Sequence, residues 1–463
     1  MESQFNPVQP RNLHLDFFRG IALMIIFINH MPGNPWFWYT PSQFGLSDAA
    51  DIFVFISGFT SAIVYGSCFE RVGLWLGCVR IMHRCGQIYA AHLASFFFMA
   101  AICVLANQLT TEVDYIQRLN TGYFFENTQL ALLHIIRLDY VPNYFDILPM
   151  YLVLILWVPV IWALSRLHIT LALTFSILIY CAAWHYDWEL TADPTTGRPW
   201  FFNPFNWQLL FFIGFGFGAG WLQIPSSNWG LILLCTLIVM ASIPLGHEET
   251  YTQNAFWGDL RAGLEPFLNK CHLGPIRCVH FLAVAYLVNH LFKTNPHWLA
   301  LGLSRWIIKM GRQSLPIFLC GMGLSYIGGI ALDWSGFDAL SVAMINLAGL
   351  GLMLLLAQAL TWLDSKPWKL PTNHHRPNPT AQKNLLHKIN ALAYDWGKQA
   401  LLIPFLIAFA ILPMLLMQTE KTIGTPVPET MVNLPHNEDF QKVNAIVPRP
   451  DQSDTVIENQ QRL

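Results

Sequence analysis

The chain contains few charged residues for its length. Only 12% of its 463 residues are charged, roughly half the share typical of soluble domains, while 54% are hydrophobic. The formal net charge is −2, and no block of the sequence forms the basic patch that a nucleic-acid-binding protein needs. This composition argues against an ordinary soluble enzyme and indicates a membrane protein.

The sequence also lacks Cys-x-x-Cys pairs, and we expect no cleavable leader. Its nine cysteines mostly lie in apolar segments, so we interpret them as small core residues and expect no metal site. Cys271 and Cys278 remain candidates for a disulfide. The first apolar run contains Asp16 and is followed by no small-residue cleavage site, so we expect it to stay in place as a signal anchor.

Long apolar segments recur along the whole chain. Most approach the roughly 20 residues that a helix needs to cross a bilayer. The predicted fold is therefore all-α, a polytopic integral membrane protein with about 10–11 transmembrane helices. The predicted spans are 17–31, 49–66, 88–106, 148–165, 168–184, 207–223, 229–245, 276–292, 313–332, 339–363 and 399–417.

The distribution of Lys and Arg predicts the orientation. If the N-terminus is cytoplasmic, most basic residues before the tail fall on the inner side, as the positive-inside rule requires. We therefore expect a multi-pass protein of the bacterial inner membrane. The predicted parts are a cytoplasmic N-terminal segment 1–14, a membrane core 15–363, a polar cytoplasmic linker 364–398, an additional helix 399–417 and a disordered periplasmic tail 418–463.

The first span carries three polar side chains that could carry chemistry, Asp16, Arg19 and His30. Charged groups in a membrane helix cost about 2.5–3.5 kcal/mol each and by default mark a functional site. Asp16 and Arg19 are neighbours on one helix face. Arg19 and His30, eleven residues apart, share a face with a rise of about 16 Å between them. Alternatively, Asp16 and Arg19 only neutralise each other, and His30 is a satisfied core or interfacial histidine.

The second span begins with two carboxylates, Asp48 and Asp51, on one helix face. They are level with His30 if the first two spans are antiparallel neighbours. Ser47 could be a helix cap and Asp48 a favourable first-turn acid. Asp51, deeper in the span, would more naturally orient an imidazole. A His–Asp couple is a common general base for a hydroxyl group.

Later segments add weaker candidates. Asp146 and Asn206 begin spans and could simply be helix caps. Arg312 could bind a phosphate or serve only as a basic anchor on the inner side of the membrane. The predicted outer loops are rich in aromatic residues, which fit either an interfacial belt or a carbohydrate surface. Twelve aromatic residues support these two interpretations: Trp36, Trp38, Tyr39, Tyr115, Tyr123, Tyr140, Tyr144, Trp184, Trp188, Trp200, Trp207 and Trp257.

Over about residues 11–363 the sequence resembles the OpgC family, integral-membrane proteins associated with succinylation of osmoregulated periplasmic glucans. The first sixty residues carry the most specific part of the resemblance. More remotely, Arg-x10-His is similar to the signature of the membrane acyltransferase-3 group, and the first span is similar to heparan-α-glucosaminide N-acetyltransferase. The matching motifs are Leu-Asp-Phe-Phe-Arg-Gly at 15–20 with Asn29 and His30, Ser-Asp-Ala-Ala-Asp-Ile-Phe-Val-Phe-Ile-Ser-Gly at 47–58, Asp-Ile-Leu-Pro-Met-Tyr at 146–151, Phe-Asn-Trp-Gln-Leu-Leu-Phe at 205–211 and Gly-Arg-Gln-Ser-Leu-Pro-Ile-Phe at 311–318.

The resemblance implies an O-acyltransferase with no permanently bound cofactor. Its donor would be a cytoplasmic acyl-CoA, succinyl-CoA above all, and its acceptor a periplasmic glucan. Arg19, with Arg312, would hold donor phosphates, and Asp16 would lock Arg19. His30, oriented by Asp48 or Asp51, would deprotonate a sugar hydroxyl or carry the acyl group itself. The supporting residues would be Asn29 and Asp146, together with four alternative oxyanion donors, Ser57, Tyr144, Tyr151 and Asn206.

Two other functions remain open at this point. A transporter could use Asp16, Arg19 and His30 as a proton or anion relay, although the sequence shows neither an inverted repeat nor broken helices. A non-catalytic membrane partner of a machine that assembles envelope glycans would instead depend on the outer loops.

Overall fold

The computed structural model describes residues 12–300 and 302–368. Within these ranges the chain is helical, and its loops contain a single isolated β-bridge between Thr191 and Pro199. The all-α prediction is confirmed. The predicted helix 399–417, the tail 418–463 and most of the segments 1–14 and 364–398 lie outside the described residues.

Ten predicted spans fall within the described part, and each coincides with a helix. Their helices are α1 (Leu13–Asn29), α2 (Ala49–Ser61), the second half of α3 (Ser67–Leu109), α7 (Ile147–Leu167), α8 (Ile169–Tyr186), α9 (Pro204–Gly218), α10 (Trp229–Gly246), α13 (Pro275–Thr294), α15 (Ser314–Ser335) and α16 (Ala339–Asp364). The shorter helices are α4 (Tyr115–Arg118), α5 (Gly122–Glu126), α6 (Thr128–Arg137), α11 (Glu248–Gln253), α12 (Ala255–Leu268) and α14 (Gly302–Arg312).

Seven helical segments of the described part are long and apolar enough to cross a membrane. One of them, 49–109, contains two predicted spans, because a π-helical turn at Ala62–Gly66 joins α2 to α3. A kink follows at Gly73, where φ is +80° and glycine avoids the strain that a side chain would add. The helices α1 and α9, with 17 and 15 residues, are not among these seven segments.

Glycines bring the central helices into backbone contact. A Cβ atom at Gly58 of α2 would collide with the Phe211 carbonyl of α9, and one at Gly214 would collide with the Phe55 carbonyl. Small residues of this kind let membrane helices approach closely, so that van der Waals packing holds them together. The helix α9 therefore lies directly against α2.

The helix α14 was not predicted from the sequence. It is too short to span a bilayer, yet it lies along α1, with Gly20 against Ile307 and Gly311 against the Asp16 carbonyl. Since Arg312 is its last residue, this contact brings a second arginine to the N-terminal half of α1.

Several aromatic residues that were candidates for a carbohydrate surface belong to the core instead. Their buried side chains fill the space between the long helices and the loops that follow α3 and α8; they are Tyr115, Tyr140, Trp200 and Trp207. In contrast, Tyr39 is 80% exposed and Trp188 is 42% exposed. Cys271 and Cys278 are both free thiols, so the suggested disulfide is not formed.

Candidate functional site

Asp16, Arg19 and Arg312 meet at one carboxylate, and we call these three residues the Asp16 cluster. The Arg19 guanidinium lies 3.7 Å from Asp16 Oδ1, and Arg312 Nε lies 3.4 Å from Asp16 Oδ2. Asp16 and Arg19 are buried, whereas Arg312 is exposed. Arg19 Nη2 also donates to Thr60 Oγ1 of α2 at 2.6 Å. The structure thus places together the three residues that the sequence proposed for donor binding.

His30 ends α1 and is held by its own helix. Its Nδ1 lies 2.8 Å from the Ile26 carbonyl oxygen, which can only accept a hydrogen bond. Nδ1 therefore carries the proton of the neutral ring, and Nε2 keeps a lone pair. The residue as a whole is half-buried.

Tyr144 is the aromatic neighbour of His30. The two ring centroids are 5.3 Å apart, with an angle of 60° between the ring planes. Tyr144 has φ +74°, in the left-handed region that residues with a side chain seldom adopt. Strained backbone of this kind persists where the surrounding structure holds it, and it clusters at functional sites.

The contact between Arg19 and Thr60 fixes the register of α1 against α2. His30 lies eleven residues after Arg19, and Asp48 lies twelve residues before Thr60. If the two helices are antiparallel, both residues lie about 16–18 Å from that contact, in the same direction. The charges of Asp48 and Lys270 both act on the His30 imidazole, as this register requires. Asp48 is therefore level with His30.

Asp48 and Asp51 form a reciprocal cap at the start of α2. Asp48 accepts from the Ala50 amide, and Asp51 Oδ2 accepts from the Asp48 amide, both at 2.8 Å. The sequence analysis placed the cap at Ser47 and Asp48 in the first turn, whereas the cap is Asp48 itself. Helix capping therefore explains the presence of two carboxylates that the sequence analysis proposed as catalytic residues.

The predicted pairing of Asp51 with His30 is not formed. Asp51 is fully buried, and Arg277 binds it through Nε to Oδ1 at 3.1 Å and Nη2 to Oδ2 at 2.5 Å. The Ile26 carbonyl, and not Asp51, orients the imidazole. A guanidinium offers two parallel donors to a carboxylate, which explains why Arg277 takes both oxygens.

Asp48 completes this ion network. Its Oδ2 lies 2.6 Å from Lys270 Nζ and 3.2 Å from Arg277 Nη2. Burial by itself would raise the pKa of the Asp48 carboxyl, but the charges of Lys270 and Arg277 hold it well below its usual range. The sequence analysis did not identify Lys270 or Arg277 as candidate site residues. The available signal was an arginine just inside a predicted span.

The remaining candidates lie in different surroundings. Among the four oxyanion candidates, Tyr144 is the one whose ring packs against His30 in the described part of the chain. Ser57 is buried within α2, and the Tyr151 ring packs on Phe211. Asn206 is fully buried, and neither polar atom of its side chain has a partner within the described residues.

The structure also shows the surroundings of Asn206 and Asp146, which had capping explanations, and of Asn29. The cap of α9 is Asn203, which accepts from the Phe205 amide, so Asn206 lies inside the helix. Asp146 makes no capping bond but accepts from the Phe201 amide at 3.2 Å, and Arg198 lies 3.9 Å away. Asn29 donates to Ser42 Oγ at 3.2 Å.

A small, mostly apolar cavity adjoins Tyr144, between α3, α7 and α15. The cavity is lined by Ser95, Phe98, Met99, Tyr144, Phe145, Leu148, Phe318, Leu319 and Met322.

No group of three or more His, Cys, Asp or Glu side chains within the described ranges could hold a metal ion.

A comparison with known protein families identifies a match. The profile of a family described as "OpgC protein" matches residues 11–365, which is most of the chain. No curated protein and no solved structure shows significant similarity to it. The family match covers α1 to α16 and both ends of α1 described above.

Proposed function

Because this chain belongs to the OpgC protein family, we propose that it is an O-acyltransferase of the bacterial inner membrane. It moves an acyl group, succinyl above all, from a cytoplasmic acyl-CoA to hydroxyl groups of a periplasmic glucan. The observation that carries this proposal is the arrangement along α1. The imidazole of His30, with Nδ1 fixed by Ile26, stands about 16 Å from a cluster of two arginines around Asp16.

The Asp16 cluster supports donor binding at the cytoplasmic end of α1. Two guanidinium groups, of Arg19 and Arg312, share the single carboxylate of Asp16. Guanidinium groups bind phosphate oxygens through charge-assisted hydrogen bonds, and Arg312 is exposed where a phosphate could reach it. Asp16 fixes both side chains, and the extended pantetheine arm of the donor runs from there toward His30.

His30 supplies the base at the periplasmic end. Its Nε2 removes the proton from the sugar hydroxyl while the hydroxyl oxygen attacks the thioester carbonyl carbon. Tyr144 donates to the resulting oxyanion. When the tetrahedral intermediate collapses, the C–S bond breaks, and the imidazolium returns its proton to the leaving thiolate. The products are the sugar ester and free CoA.

The first test replaces His30 with Ala in cells that make the glucan. We expect glucan acylation to fall by about 10²–10⁴-fold, the usual contribution of a general base. Mass spectrometry of extracted glucans measures the loss. The control is His185→Ala, which removes an exposed histidine at the end of α8. Full acylation by His30→Ala, with normal protein levels in the membrane, would rule out the proposed role.

A further inference from the structure

Lys270 is the solvent-accessible cation of the ion network at the start of α2. Its side chain is 27% exposed, whereas that of Arg277 is 7% exposed. The backbone around it is fixed, because Trp207 Nε1 donates to the Lys270 carbonyl at 3.0 Å and the Asn203 amide donates to the Cys271 carbonyl at 3.1 Å. The backbone of Lys270 is therefore held in place, and part of its side chain is exposed.

The ammonium group has donors to spare. It carries three N–H bonds, and within the described residues its one hydrogen bond goes to Asp48 Oδ2 at 2.6 Å. Asp48 is also bound by Arg277, so its charge does not depend on Lys270 alone. The ring centroids of Phe201 and Phe202 lie 5.6 and 5.7 Å from Nζ. The Lys270 ammonium group, with two N–H groups that have no hydrogen-bond partner within the described residues, thus lies beside apolar ring surface.

This arrangement lies at the level of the proposed base. Asp48 is level with His30 through the contact between Arg19 and Thr60, and Lys270 is bound to Asp48. The charge of Lys270 acts on the His30 ring. An acyl group whose carbonyl carbon lies at His30 would therefore extend its far end toward Lys270.

We propose that Lys270 determines acyl specificity by binding the terminal carboxylate of a dicarboxylic acyl group; this inference rests on the proposed function. Its free N–H groups bind the carboxylate oxygens, while Phe201 and Phe202 cover the methylene groups between the two carbonyl carbons. A neutral acyl group of the same length gains only the apolar contacts. Charge-assisted hydrogen bonds of this kind are about twice as strong as neutral ones.

The test compares two donors of equal length on the same glucan. Membrane vesicles that contain the full chain receive labelled succinyl-CoA or butyryl-CoA, which differ in the terminal carboxylate. We expect Lys270→Met to lower the ratio of succinyl to butyryl transfer at least tenfold, with butyryl transfer retained. Lys270→Arg should largely keep the wild-type ratio. The control is Lys293→Met, an exposed lysine at the other end of α13.

Each other outcome overturns the proposal in a distinguishable way. An equal loss with both donors means that Lys270 positions the site without reading the acyl group. An unchanged ratio means that it takes no part in recognition. If the wild-type protein transfers neither acyl group, the proposed function itself fails. Size-exclusion chromatography in detergent checks that each variant is folded before the ratios are compared.

Discussion

Asp51 and Arg277 face each other with almost no exposed surface, 0% and 6%. Removal of one partner from such a pair leaves an uncompensated buried charge, which typically costs about 3–5 kcal/mol. Replacement of both partners by neutral groups of similar size costs far less. The pair joins α2 to α13 and, through the contact of Arg277 with Asp48, helps to hold Asp48 in place.

This pair gives a prediction at the residue scale. Arg277→Met leaves the Asp51 carboxylate without its cation and should lower the unfolding temperature in detergent by an amount equivalent to about 3–5 kcal/mol. Asp51→Asn should cost less, because Arg277 keeps Asp48 as a partner at 3.2 Å. The double variant should recover much of that stability, because no lone charge remains. Asp187→Asn, at an exposed left-handed position that asparagine tolerates, is the matched control. Additive losses in the double variant would contradict the account.

Local periodicity explains which site residues the sequence could reveal. Asp16, Arg19 and His30 lie on one helix, so their spacing predicts their relative positions. Arg277 is 226 residues from Asp51 along the chain. No local pattern indicates that pairing, and without it the nearest titratable partner for the imidazole was Asp51. The Ile26 carbonyl was also invisible, because backbone acceptors carry no sequence signature.

At the scale of elements, the contact between α1 and α14 positions the Asp16 cluster. Gly311 lies against the Asp16 carbonyl, so a methyl group there must push the two helices apart. We expect Gly311→Ala to destabilise the protein by about 1–3 kcal/mol and to reduce acyl transfer, since Arg312 moves with α14. Thermal unfolding in detergent and glucan acylation are the two measurements.

A second glycine supplies the control for this prediction. Gly351 lies inside α16 and has nothing within 4 Å of the Cβ position. Gly351→Ala should be neutral or slightly stabilising, because alanine favours helix by about 0.5–1 kcal/mol. Equal destabilisation by Gly311→Ala and Gly351→Ala would show that close packing of α1 on α14 is not the cause.

The long helices were predictable because membrane length imposes a strong signal, and all ten predicted spans of the described part are helices. The helix α14 was not predictable, because its eleven residues have an amphipathic pattern and resemble an ordinary polar loop between two spans. The short loop helices α4, α5 and α6 were missed for the same reason. Their positions depend on packing against α3 and α15, which only the tertiary structure shows.

At the scale of the whole molecule, composition and family membership agree on a multi-pass membrane protein. The orientation with a cytoplasmic N-terminus, the linker 364–398 and the helix 399–417 stay predictions from charge and hydropathy. The orientation matters most for the account, because it assigns the Asp16 cluster to the side of the donor and His30 to the side of the acceptor.

Transfer across a sealed bilayer tests this central claim most directly. The purified full chain is reconstituted into vesicles, with labelled succinyl-CoA enclosed in the lumen and glucan outside. The account predicts that label appears on the external glucan with the wild-type protein, and not with His30→Ala. Transfer that occurs only when donor and glucan share one compartment would contradict it.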